Sequence, residues 1–518
     1  MQNIHYTSKT VDRFNTQCYN IGILNVSYVH LPVNMETFSK IVGKALRQIC
    51  TYHFKEEFFL KNYQKIAAAS LAVLMTMSLA ACGNSSSEST DTTADITTTS
   101  KTEWTGDNIE VSADEGALST DVDIKGKTLK WMGIYDLNPT NDSPERSAEL
   151  ALFEDTYGAS IEYIPTTSDK RFDDLATSIL GGTSPDIFIY EWRTFPYDIS
   201  KNQYQPIDSL IDWEDPMWAD VKDQADKYIW KGEHYIAPLG YAFNDTQILM
   251  YNTDTTEANG FDDPYELYLE GKWDWNTFTD MMKTYVENNP DNYGIGGWWS
   301  NAFVYTAGDT MVTYDGEKFH NNMNSSKIER AQSVLEDIFK SNLIKRGWIG
   351  PEAAFVSDDL LFYGMGTWAY NGAALSVPDS TIQIVPLPKD PEQDENFVSA
   401  KINAYMWVRG SENGDVVKAW LDCNRLVNYD SKYTEATKQK FLENNTGWTS
   451  EMYDIAMDFY DPEKFTMTYD YGYGLSTLMG DEVMSILYEG IANEQSENWV
   501  QTRDTYSTVV DEEIAVYD

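Results

Sequence analysis

Two adjacent indoles are the first residues in this chain that suggest chemistry. Trp298 and Trp299 stand in the segment GIGGWWSN, and after a Gly-Gly pair both rings cannot point into one core. One of them is expected to offer its face to a ligand; burial of both is the alternative. A sugar presents a face of C–H groups and an edge of hydroxyls, so it calls for flat rings with carboxylates, amides and guanidinium groups beside them. Glu191, Trp192 and Arg193 supply that mixture in three consecutive positions, unless Glu191 and Arg193 merely pair with each other. Tyr370 and Asn371 in GTWAYNG are further candidates. So are Tyr471 and Tyr473 in TYDYGYG, which are equally readable as surface packing around glycines. All 16 Trp lie beyond Cys82.

Catalytic patterns are missing. The chain has no GxSxG, no HExxH, no phosphate-binding GxxxxGK[ST] and no GxGxxG after a strand. Its five His are His5, His30, His53, His234 and His320, too scattered for a metal site. Cys18, Cys50, Cys82 and Cys423 match neither a zinc signature nor a disulfide framework. Cys423, in AWLDCNRLVN, reads as a small buried hydrophobe on a helix. Among so many carboxylates some pair falls at glycosidase separation by chance, so acidity alone is no sign of acid/base work. No catalytic residue, metal or cofactor is expected. A surface glycoside hydrolase is the alternative from another class.

The 518 residues carry 38 Lys+Arg against 82 Asp+Glu, a formal net charge of −44. Charge of that sign repels phosphate backbones and anionic lipid surfaces, which excludes nucleic acid as a partner. Hydrophobic content of 42% and aromatic content of 14% require a large buried core, and the length suggests two or three domains.

The run IAAASLAVLMTMSLAAC, preceded by Lys61 and Lys65, is basic, then apolar, then small, as a signal peptide is. It is shorter than a membrane-spanning helix needs. Its end, Leu79 to Cys82, resembles the lipobox of bacterial lipoproteins, which makes Cys82 the lipid anchor and the mature N-terminus. The signal peptide therefore occupies 60–81, and residues 1–59 form a preface that reads as untranslated. Lys55, Glu56 and Glu57 are encodable as a ribosome-binding site, with Leu60 as a UUG start. The Ser/Thr-rich stretch 82–126 reads as a flexible tether to the outer face of the cell membrane.

Order is expected from Lys127. Strand candidates are LKWMGIY, ASIEYI and DIFIYEW; the helices between them run from Ser143-Pro144 to Tyr157, ending at Gly158, and through KRFDDLATSILGG. Alternation at this spacing predicts βαβ units on a parallel sheet, with ligands at the carboxyl ends of strands. Asp136 lies at one such end, before Asn138 and Pro139, and a turn-forming role competes with a binding one.

From Lys127 onward the order of segments resembles the extracellular solute-binding proteins of ABC importers, specifically their sugar-binding branch. FEDTYGASIEY, SPDIFIYEW, WKGEHYIAPLG with ILMYNTD, GKWDWNTFTDMMK, the Asp-Gly hairpin TYDGEKF with its following helix, YGMGTWAYNG and IVPLPKDP are each similar to a family segment. The resemblance implies an α/β, two-lobed periplasmic-binding-protein-like fold with a hinge and an interlobe cleft. It places 127–240 and 397–444 in the first lobe, 241–389 and 445–518 in the second. It implies a monomer that captures a carbohydrate and delivers it to ABC permease subunits, with peptide, polyamine or metal-chelate binders as runners-up. It puts a hydroxyl-binding carboxylate near Asp136, a stacking ring near Trp298 and Trp299, and contacts at Tyr241 and Asn244 near a crossover. It makes Trp368 a core residue. Ala373 and Ala374 stand where maltose-binding relatives carry an aromatic, which argues against maltose itself.

Overall fold

The computed structural model describes residues 103–104, 109–110, 117–119, 121–141, 145–243, 246–357, 359–378 and 381–518. The preface, the signal peptide, Cys82, most of the tether and Asn244 lie outside them.

The first lobe is built on a five-stranded sheet. Its order is Ser160–Pro165, Thr128–Gly133, Ile187–Ile189, Ile402–Trp407, Ala237–Tyr241. The first three strands are parallel, as βαβ units require, and Ile402–Trp407 runs antiparallel to both its neighbours. The crossover helices are Ala148–Tyr157 and Arg171–Leu180. The former starts later than the Ser143-Pro144 signal suggests, because Ser147 provides the cap by accepting from the Leu150 amide. It ends where expected: Gly158 takes φ 63°, a left-handed conformation glycine adopts freely, and its N–H closes on Glu154. Helix Gly414–Tyr429 returns to this lobe and buries Cys423. Its Arg425 is 1% exposed and ties the return in place, donating to the Met217 carbonyl at 2.9 Å and to the Asp220 carboxylate.

The second lobe holds a four-stranded sheet in the order Ile382–Val385, Gln247–Asn252, Leu360–Gly366, Tyr293–Gly297. Every residue of Leu360–Gly366 is buried. Asp274 and Ser325 cap the helices Trp275–Asn288 and Ser326–Lys340 that cover it. The hairpin Val312–Tyr314 with Phe319–Asn321 and the helix Trp499–Ile514 complete the lobe.

The chain passes between lobes beside Phe243, through 386–401, and along helix Ser431–Asn444. Rings gather at this hinge: Phe243 lies 5.1 Å from Phe441, 5.6 Å from Trp448 and 5.2 Å from Tyr453. Asn396–Ser399 also pairs in parallel with Phe465–Thr468.

Trp368 corrects an expectation. It is 49% exposed, not core. The strand ends at Gly366 and the chain tightens into a 3₁₀ turn, Thr367–Ala369, so position 368 leaves the alternation of the sheet. Ala369 and Tyr370 take the inward places instead, at 1% and 2% exposure. Among the described residues no helix is long and apolar enough to cross a membrane, and no group of three or more His, Cys, Asp or Glu forms a metal cage.

Candidate ligand-binding cleft

A cavity of about 350 Å³ lies between the two sheets, within the range of about 300–1,000 Å³ usual for small-molecule sites. Half of its lining residues are aromatic. The first lobe contributes the chain just past the carboxyl end of Ile187–Ile189, where the strand stops and backbone and side chains turn to the cleft. Here Tyr190, Glu191 and Trp192 form one wall. The second lobe contributes Trp298 from the carboxyl end of Tyr293–Gly297, with Asn301 and Tyr305 on the turn of helix that follows. The segment after Phe465–Thr468 brings Asp470, Tyr471 and Tyr473. Residues 399–402, at the crossover, line the remaining side.

The two indoles take different places. Trp298 is 42% exposed on the cavity wall, and its Nε1 donates to Glu489 at 2.9 Å. Trp299 is 2% exposed, packed in the core against Phe278 and Phe303, with its Cβ set over Gly364. Any side chain at 364 would displace it.

Glu191 pairs with Arg171 through both carboxylate oxygens, not with Arg193. Arg193 turns away from the cavity and reaches Asp198 at 3.3 Å while lying over the Phe172 ring. Trp192 packs edge-on to Phe172 and against Gly480, where an added Cβ would sit 2.0 Å from the indole. Tyr473 stacks on Tyr488 with rings 6.2 Å apart and nearly parallel. Tyr471 donates to the Lys227 carbonyl at 2.8 Å.

Asp470 anchors this last segment. Its oxygens accept from the Gly472 amide at 2.8 Å, the Met311 amide at 3.3 Å and the Tyr488 hydroxyl. Burial pushes its carboxyl up to about 6, a rise only partly offset by those hydrogen bonds. Burial likewise raises Glu489, against the bonds from Trp298 and Asn493, and lifts the Tyr190 hydroxyl to about 12.

Asp136, Tyr370 and Asn371 do not reach the cavity. Asp136 accepts from the backbone and side-chain nitrogens of Asn138, both at 2.9 Å, so it closes its own turn. Tyr370 is buried and donates to the carbonyls of Ile382 and Gly447. Asn371 donates to Asn445 at 2.5 Å. Tyr241 ends its strand, and Asn244 lies outside the described residues. Tyr190, Phe195, Tyr228 and 399–402 line the cavity although none is among the residues expected there. Tyr190 carried a signal, as the residue closing the DIFIY strand; the crossover residues carried none.

Comparison with known proteins gives one family. The profile of the bacterial extracellular solute-binding proteins matches residues 139–423. No curated protein matches the chain. Among solved structures, the cyclic alpha-maltosyl-1,6-maltose binding protein from Arthrobacter globiformis aligns at a TM-score of 0.55 with 14% identity, over 74% of this chain and 99% of that one. An ABC substrate-binding protein from Listeria monocytogenes, in complex with cycloalternan, aligns at 0.51 with 15% identity over 75% and 98%. UgpB from Mycobacterium tuberculosis, in complex with glycerophosphocholine, aligns at 0.52 with 14% identity over 71% and 94%. At such identities the likeness is one of fold: two α/β lobes joined by a hinge.

Proposed function

The chain belongs to the bacterial extracellular solute-binding protein family, and from that membership we propose that it captures a carbohydrate, of oligosaccharide class, between its lobes and delivers it to an ABC importer. One observation carries the choice of ligand. Trp298, Trp192 and Tyr473 bring flat rings to a single cavity whose rim also offers Glu191, Asn301 and Lys401. Rings suit the C–H faces of sugars, and side chains of both polarities suit hydroxyls, which donate and accept.

The cavity carboxylates are engaged in the fold. Glu191 is held by Arg171 and Asp470 by two amides and a phenol. Neither is poised as a free acid or base, which supports binding without turnover, and neither offers the bare negative charge a polyamine site needs. Asp136, Arg193, Trp299, Tyr370 and Asn371 act in this reading as supports of the fold or hinge; contact with ligand falls to Glu191, Trp192, Trp298, Tyr471 and Tyr473. The protein works as a monomer, held at the outer face of the membrane by lipid on Cys82, a role that rests on the lipobox-like sequence.

The test is intrinsic Trp fluorescence titrated with a panel of oligosaccharides, each mixture then searched for cleavage products. A saturable change without cleavage supports the reading. Silence with sugars and a response to peptides or polyamines overturns the ligand class, and cleavage overturns the binding-protein role.

A further inference from the structure

An indole left in water forfeits the burial of a large apolar surface, and nine of this chain's are buried. Trp298, Trp348 and Trp368 are not: they are 42%, 71% and 49% exposed. The sheet of the second lobe puts all three at one edge. Tyr293–Gly297 and Leu360–Gly366 run in parallel, so both strands end on the same side. Trp298 follows the former, its N–H donating to the Gly364 carbonyl at 2.8 Å, and Trp368 stands two residues past the latter. Tyr293–Gly297 is the last strand of its sheet, and the chain that leads to Trp348 runs along its free side. There Ile344 bridges Ile295 in parallel, and the Lys345 amide donates to the Ile295 carbonyl at 2.8 Å. Across the edge, Trp298 therefore stands between Trp368 and Trp348.

The outward set of the two flanking rings is fixed by their neighbours. Gly347 takes φ 86°, a left-handed turn just before Trp348. Ile349 then turns inward and is buried, so close to the sheet that an added Cβ on Gly296 would sit 2.6 Å from its side chain. Trp368 lies between Thr367 and Ala369, both buried, and the Thr367 amide is held by the Thr246 carbonyl at 2.9 Å. Neither indole can turn in without expelling a buried neighbour. Groups that suit hydroxyls stand beside Trp348: Arg346 and Glu494 pair at 2.5 Å, and both are about half exposed.

The cavity, at about 350 Å³, is near the lower end of the usual range of about 300–1,000 Å³. Trp298 lines it, whereas Trp348 and Trp368 do not. An oligosaccharide whose end fills the cavity must carry its remaining rings outside. We propose that Trp348 and Trp368 form an outer subsite of the same cleft, two platforms that stack on the units of a linear oligosaccharide lying beyond the cavity, with the Arg346–Glu494 pair serving their hydroxyls. Exposed apolar surface rimmed by polar groups and continuous with a cavity is how a ligand groove is built. The proposal rests on the carbohydrate reading and adds to it a preference for chain length.

The experiment is calorimetric titration of the full chain with gluco-, xylo- and manno-oligosaccharides of two to six units. It compares wild type, Trp298→Ala and the double variant Trp348→Ala with Trp368→Ala. Exposed positions tolerate such changes, and a thermal melt verifies the fold; if the double variant does not fold, Trp348→Ala alone takes its place. Wild-type affinity is expected to rise with length. The double variant should lose about tenfold at five or six units and progressively less as the chain shortens, while Trp298→Ala loses affinity at every length. A wild-type affinity that is flat with length, or a double-variant loss that is equal at all lengths, overturns the outer subsite and leaves the carbohydrate reading in place. No loss at any length does the same and assigns the exposed rings to a protein partner. A wild type that binds no member of the panel overturns the carbohydrate reading, and the outer subsite with it.

Discussion

The indole N–H of Trp298 donates to the Glu489 carboxylate at 2.9 Å, across 191 residues of chain. The bond fixes the ring's edge while 42% of the residue stays exposed on the cavity wall. A platform oriented before the ligand arrives has little rotamer freedom left to lose. Trp298→Ala is expected to weaken oligosaccharide binding by about 30-fold, or ~2 kcal/mol, as a central aromatic contact does. Glu489→Gln keeps an acceptor and should cost only a few-fold. Calorimetric titration of both variants checks this, and a Trp298→Ala protein that binds as tightly as wild type refutes the stacking role.

The neighbouring indole predicts the opposite pattern. Trp299 is core, so Trp299→Ala opens a cavity among Phe278, Phe303 and the second-lobe sheet and should cost about 3–5 kcal/mol of stability. Trp298→Ala should stay within about 1 kcal/mol of wild type. Denaturant unfolding of the two proteins side by side decides it; equal losses would mean that the division of labour between the rings is wrong.

Gly480 allows Trp192 its place on the wall. Because an added Cβ would lie 2.0 Å from that ring, Gly480→Ala must push the indole aside, with an overpacking cost of about 1–3 kcal/mol. Both melting temperature and ligand affinity should fall. A protein that lost stability alone would remove Trp192 from the ligand contacts.

Two buried carboxyls give stability a pH dependence of definite sign. Burial pushes Asp470 and Asp198 up to about 6 from 3.8, although the Arg193 guanidinium beside Asp198 works against the rise. The folded protein holds these protons more tightly than the unfolded chain, so their contribution is complete below about pH 4 and is lost as pH rises through about 6. For Asp470 alone this amounts to about 3 kcal/mol in full, of which about 2 kcal/mol falls between pH 4 and pH 7. Relative to Asp470→Asn, wild type should therefore lose roughly that much stability between pH 4 and pH 7. A difference that stays flat with pH contradicts the assignment.

The anchor is tested in cells. Cys82→Ser should abolish incorporation of labelled fatty acid and shift the protein from the membrane fraction to the medium. Retention on the membrane would relocate the attachment to some other segment.

Local signals in the sequence carried part of the scaffold. Gly158 ends one helix where expected, though its start falls at Ser147 and not at Ser143-Pro144, and Asp315-Gly316 turns the hairpin through chemistry confined to a few neighbours. The cavity was only partly legible for the converse reason. Trp298 and Tyr473 stand out in their own segments, but the wall formed by 399–402 and Tyr228 exists only because crossovers bring distant chain together. Trp368, core by the resemblance alone, is exposed because the strand ends at Gly366 and the 3₁₀ turn after it gives the inward places to Ala369 and Tyr370. Asp136 and Arg193 sit beside the right strand ends, yet nearer partners, Asn138 and Asp198, take up their polar groups.

The rings around Phe243 give the hinge a particular mechanical character. Phe441, Trp448 and Tyr453 touch it edge-on, tilted and stacked, in ring contacts whose geometric preferences are worth only about 0.5–1.5 kcal/mol a pair. A preference of that size lets the rings re-pack as the chain beside Phe243 turns, as a bearing does, so the hinge bends by exchanging ring contacts and not by breaking directional bonds among the four rings.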